Sequence, residues 1–392
     1  MKSGWETKRL GNVCLFDKAQ GVHKSLPYVG LEDIECHAAR FIGSTQPQSM
    51  KSATFRFSSR HVLYGRLRPY LNKVLAPDFD GHCSTEIFPI LPRPELSREY
   101  LLYWLLKDET VDQINATCTG ARMPRANMNE VLAFDFPLAP LPEQQRIVGI
   151  LDDAFGGLAT AKANAEKNLK NARAIFESEL NAIFTRKGDG WKEKPLLEVS
   201  EIKHGYAFEG EYFSNKGEFV LLTPGNFYER GGYRDRGDKQ KYYTGTIPRD
   251  YVLNEDDLLI AMTEQAAGLL GSPILVPESG KFLHNQRLGL VTKKAGATWT
   301  NEFLFHIFNT QAVRRAIHEN ASGVKVRHTS PTKIGDVVVA LPPSLSEQQR
   351  IVAKLDNVNA ETQRLESIYQ RKLEKLDALK KSLLHHAFTG QL

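Results

Sequence analysis

The chain has 392 residues, 41% of them hydrophobic and 25% charged, and its formal net charge at neutral pH is +5. This length predicts two or three domains. The apolar runs are too short to cross a membrane, the first residues lack the apolar stretch of a signal peptide, and the net charge is small for a protein that binds nucleic acid by charge alone. We therefore expect a soluble cytoplasmic protein in which the placement of charge matters more than its sum.

The first segment, residues 1–142, mixes strand and helix patterns. Glu86–Leu91 has the composition of a strand, and Ser97–Ala116 has the apolar spacing of one amphipathic helix. The helix leads into a glycine-marked loop, Thr119–Arg125, which carries the cations Arg122 and Arg125.

A basic stretch, Lys51–Pro77, carries the first nucleic-acid signal. It contains no acidic residue, and aromatic side chains are interleaved with its cations. Arginine and lysine neutralise phosphates, and arginine also reads base edges. A solvated face with aromatic core residues explains the same composition. The cations are Lys51, Arg56, Arg60, Arg66, Arg68 and Lys73, and the aromatic residues are Phe55, Phe57, Tyr64 and Tyr70.

The next segment, Glu143–Thr185, is predicted to form one helix of roughly 65 Å at 1.5 Å per residue. Its apolar residues follow a seven-residue repeat, which favours a two-helix coiled coil over an isolated surface helix. Lys162 and Glu179 interrupt the seam. The seam consists of Leu151, Phe155, Leu158, Ala165, Leu169, Ala172, Phe176 and Ile183.

The second segment, residues 186–346, repeats the layout of the first with little identity. Its predicted helix, Thr300–Asn320, leads into the loop Ser322–His328, whose cations Lys325 and Arg327 correspond to those of the first loop. A weaker basic candidate, Arg230–Lys241, contains Arg234 and Arg236 diluted by acidic residues. The strand-like stretches are Asp257–Met262, Leu288–Thr292 and Asp336–Leu341.

The last segment, residues 347–392, is predicted to be a second long helix. Ser346 and Gln349 have the spacing of a capping box at its start. Thr362 and Lys372 interrupt its seam. The seam consists of Leu355, Val358, Leu365, Tyr369, Leu376, Leu379 and Leu383.

The two long helices are copies of each other. The hexapeptide Glu143–Val148 recurs letter for letter as Glu347–Val352, and the same offset pairs Phe184 with Phe388. We predict an α+β protein in which two similar α/β domains are separated by two long antiparallel coiled-coil helices in a pseudo-twofold circular arrangement. The second helix should then pack beside the first segment, with the chain termini close together.

Motifs for catalysis are missing from the sequence. It has no phosphate-binding loop, no amino-methyltransferase tetrapeptide and no nucleophile elbow, so we expect no catalysis by this chain alone. Neither cysteine nor histidine spacing predicts a metal site, and no cofactor is expected. The four cysteines, expected to be reduced thiols, are Cys14, Cys36, Cys83 and Cys118.

The sequence resembles the specificity (S) subunits of type I restriction–modification systems. The entry L-P-x-x-x-x-E-Q-Q-R-I-V into a long helix is present as Leu341–Val352, with a looser match at Leu138–Val148. Gly65–Val74, the C-terminal Ala387–Gly390 and the segment starts at Trp5 and Trp191 fit the same family.

The resemblance implies a non-catalytic DNA-recognition subunit with two target-recognition domains, residues 1–142 and 186–346, and two spacer helices, residues 143–185 and 347–392. Expected partners are double-stranded DNA, DNA methyltransferase subunits (two of them) and restriction or translocase subunits, with no membrane. Recognition residues diverge within this family, so our DNA-binding candidates come from the loops of this chain itself: Arg66, Arg68, Lys73, Arg122, Arg125, Arg234, Arg236, Lys325, Arg327 and His328. The candidates for partner binding and spacing are Glu143, Gln144, Arg146, Phe155, Leu169, Phe176, Glu347, Gln348, Arg350, Leu365, Leu376 and Leu383.

Three other functions remain open from the sequence. A coiled-coil scaffold would assemble proteins without reading DNA. An S-like subunit of another modification system would have different partners. An autonomous nuclease or methyltransferase would show activity as the purified chain.

Overall fold

The computed structural model describes residues 4–120, 122–264 and 268–392. It divides into two compact units, one made of the chain up to Lys167 together with Tyr369–Leu392, and the other made of Asn168–Ile368. Each unit combines one mixed α/β domain with parts of two long helices. We call the part of the chain before the first long helix the first domain, and the part between the two long helices the second domain.

The first domain combines short strands with four helices in its described residues. The strands are β1 Glu6–Arg9, β2 Cys14–Phe16, β3 Gln20–Gly21, β4 Tyr28–Val29, β5 Thr54–Phe57, β6 Val62–Gly65, β7 Val74–Leu75, β8 Gly81–Cys83, β9 Ile87–Pro92 and β10 Asp135–Leu138. The helices are α1 Leu10–Val13, α2 Arg98–Leu106, α3 Asp108–Ala116 and α4 Met128–Leu132, and the first long helix follows as α5 Leu141–Arg186.

The second domain repeats this succession. Its strands are β11 Lys192–Pro195, β12 Ser200–His204, β13 Phe213–Ser214, β14 Phe219–Leu221, β15 Tyr242–Tyr243, β16 Leu258–Ala261, β17 Thr263–Glu264, β18 Pro273–Leu275, β19 Phe282–Leu283, β20 Leu288–Lys293, β21 Arg327–His328 and β22 Val338–Leu341. Its helices are α6 Leu196–Val199, α7 Asn301–Asn309, α8 Gln311–Glu319 and α9 Pro331–Gly335, and the second long helix is α10 Leu345–Thr389.

The two domains share the topology of one sheet and differ in the other. The shared sheet has the order β2-β9-β6-β7 in the first domain and β12-β20-β16-β18 in the second. In the other sheet both domains pair two strands in parallel, β4 with β8 and β14 with β19. The next strand joins β8 in the first domain but β14 in the second. One fold therefore presents a different sheet edge in each domain.

The amphipathic helix predicted in each domain is in fact two helices, which corrects the sequence-based prediction. The first domain breaks between α2 and α3 at Lys107, whose ψ of 132° is extended, and the second breaks between α7 and α8 at Thr310, with ψ of 145°. The apolar spacing continues across the break because both halves lie against the same core. Periodicity alone therefore does not reveal this change of direction.

Within each unit the two long helices run antiparallel. In the first unit Lys162 Nζ lies 3.0 Å from Asp377 Oδ1, and Phe155, earlier in α5, lies 5.4 Å by its ring centroid from Nζ of Lys380, later in α10. In the second unit Arg173 Nε lies 3.0 Å from Glu366 Oε2, and Glu179, later in α5, pairs with Lys354, earlier in α10. The ion pairs are exposed, so each contributes little stability and serves mainly to mark the register.

The predicted seam is correct in outline and wrong at particular positions. Phe176 and Leu355 are buried as expected, but Leu379 is 48% exposed and lies off the seam. Thr362, predicted as an interruption, is buried, and its hydroxyl donates to the Asn359 carbonyl at 2.9 Å. A threonine is tolerated in the seam because the helix backbone itself satisfies its hydroxyl.

The predicted cap of the second long helix must be moved. The helix begins at Leu345, and the Ser344 hydroxyl accepts a hydrogen bond from the Glu347 amide at 3.3 Å. Ser346, the residue predicted to cap, lies inside the first turn. The capping residue therefore lies two positions before the one that the capping-box spacing predicted.

The repeated hexapeptide fastens the first long helix to the first domain through a buried glutamine. The Gln144 side chain is completely buried. Its Oε1 accepts from the Ser97 amide at 2.7 Å. Its Nε2 donates to the carbonyl oxygens of Glu95 at 2.9 Å and Ala139 at 2.7 Å. Ser97 is the N-cap residue of α2, so the amide joins the start of one helix to the start of another.

The second copy makes the same joint. Gln348 is completely buried; its Oε1 accepts from the Thr300 amide at 3.0 Å, and its Nε2 donates to the Thr298 carbonyl at 2.9 Å. Thr300 is the N-cap residue of α7. Gln144 and Gln348 were predicted for partner binding or spacing. Both side chains are buried and bonded to their own domains, so they hold the long helices in place and do not contact a partner.

Aromatic residues fasten the far end of each long helix. At the end of α10, Phe388 lies 4.8 Å from Tyr100 between ring centroids, within the first unit. At the end of α5, Phe184 lies 5.5 Å from Phe303, within the second unit. This confirms that the second long helix ends against the first domain.

Replacing the buried glutamine tests the joint. We expect Gln144→Ala to lower the free energy of unfolding by about 1–3 kcal/mol, because the Ser97 amide and two carbonyl oxygens lose their partner in a dry site. Urea unfolding followed by circular dichroism measures the change. The matched control is Gln145→Ala, at an exposed neighbouring position, where we expect a change within about 0.5 kcal/mol. Equal effects of the two substitutions would contradict a structural role for Gln144.

Candidate nucleic-acid interface

Each domain follows its helix pair with a short hairpin of the same construction. In the first domain Thr119 and Arg125 exchange two backbone hydrogen bonds of 3.1 Å; in the second, Ser322 and His328 exchange two of 2.9 Å. We call these segments, residues 119–125 and 322–328, the first and second hairpins. Ala121, in the first hairpin, lies outside the described residues. The matched closing pairs make Arg122 the counterpart of Lys325.

A glycine in the left-handed region begins each turn. The φ angle is +92° at Gly120 and +94° at Gly323. A Cβ atom on Gly323 would lie 2.1 Å from the Val326 carbonyl oxygen, whereas one on Gly120 would lie 3.4 Å from that of Met123. The second hairpin is therefore closed more tightly across its glycine.

The tips of both hairpins expose a cation beside an apolar side chain. Arg122 and Lys325 are exposed, and the residues that follow them, Met123 and Val326, are 47% and 46% exposed. Val324 is 99% exposed. Isolated exposed apolar side chains are ordinary, but two at equivalent positions beside equivalent cations suit a surface that contacts bases and phosphates together.

Backbone hydrogen bonds seat each hairpin on the segment that follows a central strand. In the first domain the Ala126 amide donates to the Arg66 carbonyl, directly after β6, at 2.9 Å. In the second, the Thr329 amide donates to the Met262 carbonyl, directly after β16, at 2.9 Å. Each hairpin thus rests on the rigid shared sheet, which is how a recognition loop is held in place.

Two of the candidate arginines of the first domain converge on one carboxylate. Arg66 Nε lies 3.0 Å from Glu86 Oε2, and Arg125 Nη2 lies 2.8 Å from Glu86 Oε1. Arg125 Nε donates to the same Oε1 at 2.9 Å. Partial burial acts to raise the pKa of Glu86, but hydrogen bonds from Arg125 and Arg66 outweigh it and hold that pKa below its usual range. The carboxyl group is therefore ionised at neutral pH.

A different cluster lies beneath the second hairpin. Arg327 Nη2 donates to the His318 carbonyl at 2.5 Å, so its guanidinium is tied to the end of α8. His318 Nδ1 lies 3.6 Å from the buried carboxylate of Glu264. Burial lowers the pKa of Arg314 to about 10, although the carboxylates of Glu264 and Glu229 act to raise it. Lys325 and His328 are the exposed cationic candidates of this hairpin.

Part of the predicted basic stretch is structural. Lys73 Nζ donates to the Leu31 carbonyl at 2.5 Å and the Ile34 carbonyl at 3.0 Å, so its amine holds the fold together, and its contact with DNA stays a prediction. The aromatic rings of Phe55, Phe57 and Tyr64 are buried in the core, as the alternative of a solvated face required. Arg68 and Tyr70 remain exposed.

The weaker basic candidate lies after β14. Arg234 is exposed, and its guanidinium sits 5.9 Å from the ring centroid of Tyr228, which is 52% exposed. Arg236 is half-buried, and its backbone amide donates to Gln240 Oε1 at 3.3 Å. DNA contact by these two arginines stays a prediction.

Several helix candidates contact their own unit. Glu347 Oε1 accepts from the Trp191 indole at 2.9 Å. Arg146 donates to the Leu392 carbonyl at 2.6 Å and pairs with Glu143 at 2.8 Å. Phe155 packs edge-on against Tyr103 in the first unit, and Phe176 is buried in the second. Leu169, Leu365, Leu376 and Leu383 are half-buried and Arg350 is exposed, so partner contact by these five residues stays a prediction.

Sequence reasoning missed two residues beneath the hairpins, Glu86 and Arg287. Backbone pairing makes them equivalent, since the Arg66 amide donates to the Glu86 carbonyl and the Met262 amide to the Arg287 carbonyl, both at 2.9 Å. No signal in the sequence marks them, because each is a single charged residue before a strand.

In the described residues no group of three or more acidic, histidine or cysteine side chains could hold a metal ion. Among the same residues, none of the helices has the length and apolar composition needed to cross a membrane.

Alanine at the two hairpin glycines tests the geometry of the turns. Both substitutions place a side chain at positive φ, and only Gly323→Ala adds a severe clash with the Val326 carbonyl. We expect Gly120→Ala to cost about 1 kcal/mol of hairpin stability and Gly323→Ala distinctly more. Amide hydrogen exchange at Arg125 and His328 measures the opening of each hairpin. Similar losses of protection in the two variants would contradict the tighter closure of the second hairpin.

Comparison with known proteins agrees with this architecture. The family model for the type I restriction modification DNA specificity domain matches twice, at residues 2–170 and 188–375. Two solved chains match the whole fold. A chain from "Structural basis underlying complex assembly and conformational transition of the type I R-M system" has a TM-score of 0.81 at 22% identity, covering 100% of this chain and 99% of that one. The HsdS subunit from Thermoanaerobacter tengcongensis has a TM-score of 0.65 at 21% identity, covering 100% and 98%.

Curated relatives match over shorter spans. The specificity subunit of the type I restriction enzyme EcoBI, from Escherichia coli, is 27% identical over 56% of this chain and 43% of its own length. That of EcoDI, also from Escherichia coli, is 31% identical over 34% of this chain and 29% of its own length. The matched part of the chain thus spans less than half the length of either relative. On the two matches of the family model, which together cover most of the sequence, the chain belongs to the type I restriction–modification DNA specificity subunit family.

Proposed function

We propose that this chain is the sequence-reading subunit of a type I restriction–modification complex and has no catalytic activity of its own. Residues 1–142 and 186–346 are the two recognition domains, and each reads one half of a bipartite DNA target. The long helices, residues 143–185 and 347–392, set the distance between the halves and dock two methyltransferase subunits, with restriction subunits joining the larger assembly.

The observation that carries this proposal is the pair of equivalent hairpins on divergent domains. Arg122 and Lys325 occupy the same place in the same turn, exposed beside an apolar residue. The surroundings of the two hairpins differ, with a salt-bridged arginine pair at Glu86 in one domain and the exposed Arg287 at the equivalent position in the other. Two domains that read different half-sites need a loop at the same place in each domain and different side chains around it.

The modest charge of the chain fits the same role. Phosphate contacts supply most of the sequence-independent affinity of a DNA-binding protein, and base contacts supply its specificity. A chain with a net charge of +5 leaves part of the phosphate affinity to its methyltransferase partners. The cations of its hairpin tips, Arg122 and Lys325, are then available to contact base edges.

Selection from a randomised duplex library tests the function. The full chain, co-purified with its methyltransferase subunits, is mixed with duplexes of random sequence, and the bound fraction is sequenced. We expect two short enriched blocks separated by a constant number of unread positions. A scaffold that does not read DNA would enrich nothing, and methylation by the purified chain alone would contradict the non-catalytic assignment. Co-purified partners of another enzyme class would indicate a different modification system.

Single substitutions at the hairpin tips test the two-reader arrangement. We expect Arg122→Ala to weaken enrichment of one block and Lys325→Ala to weaken enrichment of the other, each by about 1–3 kcal/mol of discrimination if the cation contacts a base edge. Lys216→Ala, which removes an exposed cation of the second domain outside its hairpin, serves as the control and should leave both blocks unchanged. Uniform weakening of both blocks would assign the hairpin cations to phosphate contact alone.

A paired deletion tests the helices as the ruler. Removing residues 164–170 from α5 and the facing residues 369–375 from α10 takes out one heptad between the Lys162–Asp377 and Arg173–Glu366 ion pairs and keeps both pairs. At 1.5 Å per residue this shortens the helices by about 10 Å, or about three base pairs. Library selection should return the same two blocks with a gap shorter by that amount. An unchanged gap would falsify the ruler, and deleting only residues 164–170 provides the out-of-register control.

A further inference from the structure

We propose that Glu86 is a positioning residue that gives the first domain its DNA specificity, by fixing the orientation of Arg66 and Arg125 and restraining their use as general phosphate contacts. This inference rests on the proposed function and names the group that controls one of the two recognition surfaces.

The geometry restrains both guanidinium groups. Arg125 binds Glu86 through Nε and Nη2, at 2.9 and 2.8 Å from Oε1, which fixes its plane. Arg66 binds through Nε at 3.0 Å, and its guanidinium lies 5.3 Å from the ring centroid of Phe88. The side chains of Arg66, Arg125 and Glu86 are 32%, 36% and 24% exposed, so the group is reachable from solvent.

A fixed guanidinium suits base reading better than phosphate binding. Arginine reads guanine through two parallel hydrogen bonds, which require the plane of the guanidinium to match the base edge. Contacts to phosphate supply affinity by neutralising charge and carry no sequence information, so they gain no specificity from the orientation of the arginine. A carboxylate that holds two arginines lowers their joint charge to +1 and fixes their planes. It therefore favours the selective contact over the general one.

The second domain shows that this position varies while the backbone does not. Two hydrogen bonds match between the domains. The Arg66 and Met262 amides donate to the carbonyls of Glu86 and Arg287 at 2.9 Å, and one backbone bond of 2.9 Å from the end of each hairpin reaches the carbonyl of Arg66 or Met262. Met262, Arg287 and His328 thus replace Arg66, Glu86 and Arg125. The two sets of side chains therefore offer different hydrogen-bonding groups on a matched backbone.

An ion-pair network that only stabilises the fold is the competing explanation. Such networks are common, and exposed pairs contribute little on average. Glu86→Gln removes one negative charge and so raises affinity for unrelated DNA under either explanation. The two explanations differ in what they predict for specificity. A merely structural network leaves both blocks intact in a folded variant, whereas a positioning role broadens one block even in Glu86→Asp, which keeps the charge.

The test compares Glu86→Gln, Glu86→Asp and the control Asp78→Asn in the full chain co-purified with its methyltransferase subunits. Asp78 is an exposed carboxylate of the same domain outside this network. The readouts are the library selection and the salt dependence of binding to a duplex that lacks the enriched blocks. Thermal unfolding reports whether each variant is folded.

We expect Glu86→Gln to abolish or broaden one block, with discrimination reduced about ten-fold or more, and to leave the other block unchanged. Affinity for the unrelated duplex should rise about two- to five-fold, with a salt slope steeper by about one. Glu86→Asp keeps the charge but draws the carboxylate back, so it should broaden the block without raising non-specific affinity. Asp78→Asn should preserve both blocks.

The outcomes separate this inference from the proposed function. If the unaltered chain enriches no sequence, the proposed function fails and Glu86 has no specificity to set. If the unaltered chain enriches two blocks and Glu86→Gln and Glu86→Asp keep both, only the inference is overturned. Should Glu86→Gln fail to fold, Glu86→Asp decides: a broadened block in that variant supports positioning, and an intact block overturns it.

Discussion

The buried amides of Gln144 and Gln348 are the contacts on which the rest of the structure depends. Each satisfies the backbone at the N-terminus of a domain helix and, through its own long helix, fixes the direction in which that helix leaves the domain. A glutamine is suited to this because one side chain both accepts and donates, so a polar helix start can be buried without an unsatisfied group. The repeat of this glutamine in both copies of the hexapeptide is thus explained by the equivalent joint that it makes in each domain.

Because the joints and the shared sheet hold the backbone in place, the side chains of the hairpins and of the residues beneath them can differ between the domains. The hairpins are seated by backbone hydrogen bonds, which impose little on the side chains. The first hairpin can carry Arg122 where the second carries Lys325, and Glu86 can stand at the position of Arg287, without any change in the path of the backbone. Divergence in the other sheet, where the added strand joins β8 in one domain and β14 in the other, extends the difference to a second surface.

The architecture could be predicted from the sequence because its signals are long. A seven-residue repeat over two helices and an exact hexapeptide leave few alternatives, and the hairpins stand out by their glycines. The details that the sequence does not show have physical causes. Lys73 looks like a DNA contact in the sequence, but only the fold brings the Leu31 and Ile34 carbonyls to its amine. Glu86 lies 20 and 39 residues from its arginines, so no local pattern reveals the network.

The division of the chain into units also sets the order in which it can fold. The second unit is one continuous stretch, Asn168–Ile368, whereas the first is completed only by Tyr369–Leu392. Chains fold as they are synthesised from the N-terminus. The first domain is made before the second unit, so Tyr100 lacks its partner Phe388 until the whole second unit has been synthesised. The entropic cost of closing so long a loop falls on one domain alone, so two halves of similar topology should differ in folding rate and in their exposure to misfolding.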